Sequence, residues 1–177
     1  MASAIVHTVL REKSAVQARY LRSLYDLARK VTSSLELDEV LNSITDRVMT
    51  IVGPDSCSIV LRDADSDRLY LASSKGLAFD SDFAVLIPAA MRFSASRPRA
   101  RTYEDLARHP HHANTPVVKR LKLRSAVVIP LSSRRRKLGF LTAYSRRPHG
   151  FPSNTVKLLD GIAELAALAI ENARLYE

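Results

Sequence analysis

The sequence predicts a mixed α/β fold of the α+β type. It consists of an antiparallel central β-sheet with N- and C-terminal helices packed on one of its faces. Two apolar runs, residues 125–131 and 138–144, flank a basic turn and have the length and composition of neighbouring strands. An earlier pair, residues 57–62 and 69–73, is joined by a short acidic turn without a helical crossover, which favours antiparallel pairing. After the last run, apolar residues recur at helical spacing: Leu158, Ile162, Leu165, Ala169 and Ala173.

The N-terminal part of the chain predicts a helix that carries a short heptad seam. Residues 11–35 contain neither Gly nor Pro. Apolar residues recur there at alternating spacings of four and three, over about two heptads: Tyr20, Leu24, Leu27 and Val31. The seam has two interpretations, pairing with the same helix of a second copy and packing on its own domain. We assign residues 1–23 to an N-terminal helical extension and residues 24–177 to the domain.

A second helix is marked at both ends by its residues. Asp38 is expected to cap its start and Gly53-Pro54 to end it. Its apolar face consists of Leu41, Ile44, Val48 and Ile51. Beyond the first two strands the pattern is less regular, with a short helix expected near residues 82–93. Because prolines interrupt residues 97–121, we expect loops and turns there, and four strands in all.

Alternation along each strand assigns its side chains to one face of the sheet or the other. The face that we expect under the helices is uniformly apolar: Cys57, Ile59, Leu61, Val127, Ile129, Leu131, Leu141 and Ala143. The opposite face is mixed: Ser58, Val60, Arg62, Tyr70, Ala72, Ser74, Ala126, Val128, Phe140, Thr142 and Tyr144. A half-polar face beneath a long irregular segment is what a covered ligand pocket requires.

The positive charge of the chain is concentrated in one region. The net charge is +9, but residues 92–147 hold fifteen Lys and Arg against two acidic residues, and the remainder is net negative. Such a region favours an anionic ligand, an acidic partner or nucleic acid. Solvated loops are the simpler interpretation. Nucleic-acid binding is the least favoured, since neither stacking aromatics nor a recognition-helix pattern accompanies the basic residues.

Length and cysteine usage indicate an intracellular domain. At 177 residues the chain suits one domain with an extension. Its single cysteine, Cys57, excludes an internal disulfide framework and fits a reducing compartment. The sequence has neither an apolar run of about 20 residues nor a secretory leader. We therefore expect a cytoplasmic protein that does not enter a membrane.

Four pieces of the sequence, in order, resemble GAF domains, the small-molecule-sensing modules of signalling proteins. The resemblance covers roughly residues 24–176, and the pieces that carry it are LELDEVLNSITDRVMTIVGPDSCSIVLRD, YEDLARHPHHANTPVVKRLKLRSAVVIPL, KLGFLTAYSRRPHGF and ALAIENARLYE. It implies a PAS/GAF-like sheet with a ligand cavity on the face opposite the helices. It also implies dimerisation through the terminal helices. Residues 77–101 match the family pattern least.

The specialised chemistries of this family find little support in the residues. Relatives that bind cyclic nucleotides carry an Asn-Lys pair, which is absent here, and bilin-binding relatives use a cysteine located elsewhere than Cys57. The methionine-sulfoxide-reducing relatives need several cysteines. Haem ligation by His109, His111 or His112 is disfavoured because few aromatic residues are present to line a haem pocket. We therefore expect no metal or cofactor, although haem stays open.

The resulting hypothesis is a regulatory sensor and not an enzyme. The chain is expected to bind a small, anionic ligand, since arginines of the segment covering the sheet can pair with carboxylate or phosphate. It is expected to form a homodimer and to signal to an output protein through its terminal helices. The alternatives are a ligand-free dimerisation or interaction module and nucleic-acid binding through residues 92–147. The predicted ligand-binding residues are Ser58, Val60, Tyr70, Met91, Arg101, Tyr103, His112, Val128, Thr142 and Tyr144.

Overall fold

The computed structural model describes residues 37–77, 99–133 and 136–175. The expected N-terminal extension, its heptad seam, the short helix near residues 82–93 and Met91 lie outside these ranges. The described part is an α+β structure built on one antiparallel sheet, as the sequence predicts.

The sheet has five strands in the order β2-β1-β5-β4-β3. Their bounds are Ser56–Arg62 for β1, Leu69–Lys75 for β2, Arg101–Tyr103 for β3, Ser125–Ser132 for β4 and Lys137–Ser145 for β5. All four pairings are antiparallel. The two predicted hairpins, β1–β2 and β4–β5, are confirmed, and they join through β1 and β5 at the centre of the sheet.

Strand β3 is absent from the sequence prediction, which placed loops and turns over residues 97–121. Its three residues pair with β4 at the sheet edge, Arg101 opposite Val128 and Tyr103 opposite Ala126. A strand this short shows no apolar alternation, and Arg101 and Thr102 are exposed. Pairing with β4, and not its own residue pattern, makes this segment a strand.

Three helices accompany the sheet. Helix α1 covers residues 37–51, α2 is Pro116–Arg120 and α3 is Ser153–Leu175. The predicted stop of α1 is confirmed, since Gly53 adopts a left-handed φ of 66°. Leu37 is already helical, so Asp38 lies within α1 and does not cap its start as predicted. Among the described helices, none has the length and apolarity needed to cross a membrane.

The main core lies between α1, α3 and the apolar face of the sheet, which we call the helix face. All eight strand residues predicted for this face are buried in this core. Helix α1 contributes Leu41, Ile44 and Val48, whereas Ile51 is 53% exposed and not part of the core as predicted. Helix α3 contributes mainly Leu159, Ala163, Ala166, Ala167 and Ile170. The stripe predicted from the sequence is therefore offset, because Leu158 and Leu165 are exposed.

A β-bulge between β1 and β2 changes which face the residues of β2 occupy. Ile59 lies opposite Ser73 and Val60 lies opposite Leu71, so Ala72 is the extra residue. One extra residue reverses the alternation beyond it. Tyr70 therefore pairs with Leu61 of the helix face, and Ala72 packs against the main core. The assignment of Tyr70 and Ala72 to the opposite face is wrong.

Candidate functional site

The face of the sheet opposite the helices, which we call the open face, carries two polar rows. Across the strands, Ser74, Ser58, Thr142 and Val128 lie side by side and lead to Arg101 on β3. The adjacent row contains Ser56, Tyr144, Ala126 and Tyr103. Apolar residues border the rows, including Val60 and Phe140. Ala126, Val128, Tyr103 and Tyr144 of the rows are buried in the same apolar cluster. The rows therefore place several hydroxyl groups together within a largely apolar, buried face.

Three buried hydroxyls on the open face lack hydrogen-bond partners within the described part of the chain. They belong to Ser56, Ser58 and Ser74. Ser56 and Ser58 are each only 1% exposed. A buried hydroxyl without a partner costs free energy, and nearly all such groups in folded proteins are satisfied by protein, water or ligand. Three on one face mark a surface suited to a polar ligand.

Burial also shapes the chemistry of Tyr144, in the row next to Ser58 and Thr142. Tyr144 is 6% exposed and Thr142 is 3% exposed. Burial raises the pKa of the Tyr144 phenol to about 12, with the nearby hydroxyls of Ser58 and Thr142 acting in the opposite direction. Tyr144 therefore stays neutral at physiological pH and can serve as a hydrogen-bond donor to an anion.

The segment from β3 to β4 packs onto the open face and is fixed at its two ends. Asp105 accepts two hydrogen bonds from Arg124, from Nε at 3.0 Å and from Nη2 at 2.8 Å. It also accepts from the backbone N–H of Ala107 and so caps the short 3-10 helix Leu106–Arg108. Hydrogen bonding from Arg124 lowers the pKa of the Asp105 carboxyl. Helix α2 then buries Val117 and Val118 in a second core on this face.

This anchored segment brings three histidines to the edge of the open face beside Tyr103. The His109 and His112 rings stack with centroids 4.5 Å apart, and both meet Tyr103 edge-on at 5.2 and 5.1 Å. His111 lies 5.9 Å from His109. On β3, the Arg101 guanidinium lies over the Tyr103 ring at 5.2 Å. We call these five residues the aromatic edge.

The histidines of the aromatic edge favour their neutral form. The pKa values of His109 and His112 are both lowered, chiefly by burial and then by the neighbouring imidazoles and Arg101. Burial likewise raises the pKa of the Tyr103 phenol. An anion near Arg101 would oppose the repulsion that keeps protons off the histidines, so binding of an anion and protonation are expected to reinforce one another.

The structure brings together most of the ligand-binding residues that the sequence predicts. Ser58, Val60, Val128, Thr142 and Tyr144 lie on the central strands of the open face. At one side they meet Arg101, Tyr103 and His112. Tyr70 does not join them, because the bulge in β2 points it to the other face.

Sequence reasoning left Ser56, Ser74 and His109 out of the predicted site. Ser56 and Ser74 carry two of the three unpartnered hydroxyls, and His109 stacks on His112. The alternation that selected Ser58 could have found Ser56, two residues earlier on the same strand. The stacking of His109 depends on how the loop folds, and no sequence signal gives it.

Two arginines and a lysine of the basic region make contacts within the domain. Arg124 pairs with Asp105, and Arg146 donates from Nε to the carbonyl of Leu121 at 3.2 Å. Lys119 donates to the Asn114 side chain at 3.0 Å. These contacts hold the loops that flank the open face. Part of the basic charge therefore serves local structure.

Within residues 37–77, 99–133 and 136–175, no three His, Cys, Asp or Glu side chains are placed to hold a metal ion. Cys57 is fully buried on the helix face, and burial raises the pKa of its thiol to about 11. Its thiolate, the reactive form, is therefore scarce at physiological pH.

A five-stranded antiparallel sheet with helices on one face and a buried polar floor on the other defines the class of this protein, an α+β domain of the GAF type. A family model described as GAF domain matches residues 34–171. The chain belongs to the GAF domain family. GAF domains are typically signalling and sensory modules, and this is the general class of function to which the chain belongs.

One curated relative is diguanylate cyclase A of Treponema denticola, with 23% identity over 165 residues. The alignment covers 89% of this chain and 44% of that relative, so the chain spans less than half of its length.

Solved structures with this fold have varied activities. The GAF domain of Thermosynechococcus elongatus PixJ, in its blue-light-absorbing form, aligns with a TM-score of 0.62 and 15% identity, covering 81% of this chain and 90% of that one. The GAF domain of an Acinetobacter phosphoenolpyruvate-protein phosphotransferase gives 0.60 and 20%, covering 88% and 94%. Free methionine-R-sulfoxide reductase of Neisseria meningitidis, solved with its substrate, gives 0.60 and 22%, covering 84% and 87%. At these identities the similarity establishes the fold.

Proposed function

We propose that this GAF domain is a sensor that binds a small anionic molecule on its open face. The observation that carries the proposal is the group of three buried, unpartnered hydroxyls of Ser56, Ser58 and Ser74 within the described residues. A ligand with several hydrogen-bonding oxygens would satisfy them, and Tyr144 would add a neutral donor. Arg101, at the end of the row that contains Ser74 and Ser58, supplies a positive charge for a carboxylate or phosphate.

The proposed output runs through the terminal helices, in a homodimer, toward a signalling output protein. Helices α1 and α3 cover the helix face, and α3 packs on β4 and β5, the strands that carry Val128, Thr142 and Tyr144. We propose that these strands and α3 have two arrangements and that the ligand binds one of them more tightly. The ligand can change the packing of α3 only to the extent that its affinities for the two arrangements differ. A cytoplasmic location completes the proposal.

We further propose that the chain regulates and does not catalyse. The Neisseria protein that shares the fold is a reductase, and the Treponema protein that matches in sequence is a diguanylate cyclase. In this chain the one cysteine is buried on the face opposite the proposed site, with a pKa that disfavours its thiolate. The proposed role is regulation of an output activity such as that of the cyclase.

Native mass spectrometry of the freshly purified protein, followed by thermal unfolding with a panel of carboxylates, amino acids and phosphorylated metabolites, tests the proposal. A ligand of the folded state raises the unfolding temperature by mass action. Thr142→Val removes one hydroxyl of the open face and should lower the affinity for the ligand so identified at least about tenfold.

Thr45→Val is the matched control, because Thr45 is also buried but lies on α1 at the helix face. It should lower stability and leave ligand affinity unchanged. If no compound raises the unfolding temperature, or if Thr142→Val and Thr45→Val lower ligand affinity equally, the open face is not the binding site.

A further inference from the structure

A charged cleft lies at the end of the sheet where the C-terminal end of α3 meets the β1–β2 and β4–β5 turns. It has a volume of about 460 Å³, which is in the range of pockets that hold small molecules. The charged residues that line it are Arg62, Asp63, Asp67, Arg136, Lys137 and Arg174. We call these residues the basic cleft. They are separate from the residues of the sensor site proposed on the open face.

The basic cleft has an excess of positive charge. Four of its residues are cationic and two are acidic, which gives a net charge of +2. Both oxygens of the Asp67 carboxylate accept from Arg62 Nη1 at 2.7 Å. Asp63 accepts from the Ser66 hydroxyl at 2.7 Å and from the Ser66 backbone N–H at 2.8 Å. Both acids are therefore held by neighbouring residues, and the net charge that an incoming anion meets is positive.

The charged residues that flank the cleft along the chain cancel one another. Three basic and three acidic residues lie within three positions of a cleft residue: Arg68, Arg134, Arg135, Asp65, Glu171 and Glu177. The side chains of Arg134, Arg135 and Glu177 lie outside the described residues. The net charge of this region is thus set by the residues that line the cleft.

Contacts with α3 hold two walls of the cleft in place. Arg174 Nη2 donates to the backbone carbonyl of Arg62 at 2.9 Å and joins α3 to the end of β1. The Ser133 hydroxyl donates to Glu171 at 2.9 Å and joins the β4–β5 turn to α3. A hydrogen bond of 2.9 Å from the Ser133 N–H to the Arg136 carbonyl closes that turn. Because these elements are already fixed, less conformational freedom is lost when a ligand binds between them.

The geometry points to a second anion site in this domain, for a small ligand that carries a chain of two or three phosphate groups. A guanidinium presents paired N–H donors that match phosphate oxygens. The cations of the basic cleft come from β1, β5 and α3, which favours an anion with charge on more than one group. A concave cleft of this size favours a small molecule over a nucleic acid or a membrane, which present extended surfaces.

The site is independent of the proposed sensor site and adds a possible means of control over α3. Arg174 lies in the last turn of α3. A phosphate chain bound between Arg174 and Arg136 would join this end of the helix to the β4–β5 turn. Free polyphosphate and a nucleoside diphosphate share the required chemistry.

Thermal unfolding of the full chain with tripolyphosphate, at constant ionic strength and with EDTA to remove divalent cations, tests the site. Tripolyphosphate should raise the unfolding temperature far more than sulfate does at the same ionic strength. The double variant Arg136→Gln, Arg174→Gln should lower the affinity for tripolyphosphate at least about tenfold. Arg136→Gln alone, on an exposed side chain, should lower it in the same direction if the double variant does not fold.

The matched control removes the same charge from the other end of the sheet. Lys122 precedes β4 and Arg147 follows β5, and both are exposed. The double variant Lys122→Gln, Arg147→Gln should leave the affinity for tripolyphosphate within about twofold of the wild type, since salt screens charges at this distance.

Removal of an acid from the cleft should have the opposite effect. Asp67→Asn releases Arg62 from its ion pair and should raise the affinity for tripolyphosphate about three- to tenfold. Asp67 has a φ of 57°, a conformation that asparagine also adopts readily, so the turn should keep its shape. Asp65→Asn is the control, because Asp65 is exposed in the same turn and does not line the cleft. It should have a smaller effect.

The outcomes separate this site from the sensor site. The inference is overturned if tripolyphosphate does not raise the unfolding temperature, if both double variants lose affinity equally, or if Asp67→Asn weakens binding. It is also overturned if Thr142→Val abolishes tripolyphosphate binding, a result that would place the phosphate on the open face and leave the proposed function intact. Stabilisation by ADP and by tripolyphosphate, compared at equal concentration, distinguishes a nucleotide from free polyphosphate, and either one satisfies the inference.

Discussion

The two faces of the sheet treat their buried hydroxyl groups in opposite ways. On the helix face, the Thr45 hydroxyl donates to the backbone carbonyl of Asn42 at 2.9 Å and the Ser73 hydroxyl donates to the Asn42 side-chain oxygen at 3.2 Å, with the two hydroxyl oxygens 3.3 Å apart. On the open face, Ser56 and Ser58 are as deeply buried but have no partner among the described residues. The helix face is therefore complete as a structural core, whereas the open face retains unused hydrogen-bonding capacity.

This difference indicates how one small domain separates stability from binding. Apolar burial against α1 and α3 supplies the main stabilisation, and a few polar groups kept unpaired on the other side supply recognition at some cost in stability. The predictions below test that division, beginning with a position where both faces depend on the same backbone.

The largest effect is expected at Gly139, where β5 pairs with β1. A Cβ atom there would stand 2.0 Å from the carbonyl oxygen of Val60, which is backbone and cannot rotate away. Gly139→Ala should force the two central strands apart, disrupt both faces, and cost about 4 kcal/mol or more in the free energy of unfolding, measured by urea denaturation.

Gly161→Ala is its control, because nothing lies within 4 Å of the added Cβ on α3. It should stabilise the protein by about 0.5–1 kcal/mol through helix propensity. Equal destabilisation by the two substitutions would contradict the close approach of β1 and β5.

The next largest effect is expected from truncating the helix face. Leu141 is 1% exposed and packs in the main core. Leu141→Ala should cost about 2–5 kcal/mol, since it removes buried apolar surface and leaves a cavity. Urea denaturation measures the loss. The ligand found for the open face should still bind the folded variant, since Leu141→Ala removes none of its contacts, and complete loss of binding would show that the two faces are not separable.

A smaller effect is expected from pH at the aromatic edge. Because the pKa values of His109 and His112 are lowered in the folded state, the unfolded chain binds protons more readily than the folded chain below about pH 6.5. Stability should therefore fall as pH is lowered from 7.5 toward 5.5, a window that lies above the usual titration of carboxyl groups.

The free energy of unfolding at the two pH values, compared between wild type and a His109→Gln, His112→Gln double variant, measures this contribution. The variant should lose less stability on acidification. An identical pH dependence in both proteins would show that the histidines are as solvated in the fold as in the unfolded chain.

The smallest change in stability is expected at Ser58, and its direction distinguishes the two faces. Ser58→Ala removes an unpartnered hydroxyl and should leave the ligand-free protein unchanged or stabilise it by up to about 1 kcal/mol. Ser73→Ala on the neighbouring strand removes the hydrogen bond that Ser73 donates to the Asn42 side chain and should cost about 1 kcal/mol. Thermal unfolding of the two variants side by side measures both. If Ser58→Ala lowered the stability as much as Ser73→Ala, the Ser58 hydroxyl would not be unpartnered, and the proposed difference between the two faces would be wrong.

Alternation and turn residues were sufficient to predict the two hairpins and the helix face. Ile59, Val127 and Leu141 are buried under the helices because each belongs to a strand whose apolar residues recur with a period of two. The same rule placed Ser58 and Thr142 on the open face. It failed at Tyr70, because a bulge inserts one residue and no local pattern indicates it.

The sequence by itself determined the α+β class and the polar character of the open face, because hydrophobic periodicity is a local property of the chain. Four pieces of the sequence, in order, were sufficient for the resemblance to GAF domains. Tertiary structure decided the rest. It made Arg101–Tyr103 a strand, stacked His109 on His112, and selected Leu159 and Ile170, not Leu158 and Leu165, as the buried side of α3. These outcomes depend on which surfaces meet in space, and a helix with apolar residues on two sides carries no local signal for which side the sheet will cover.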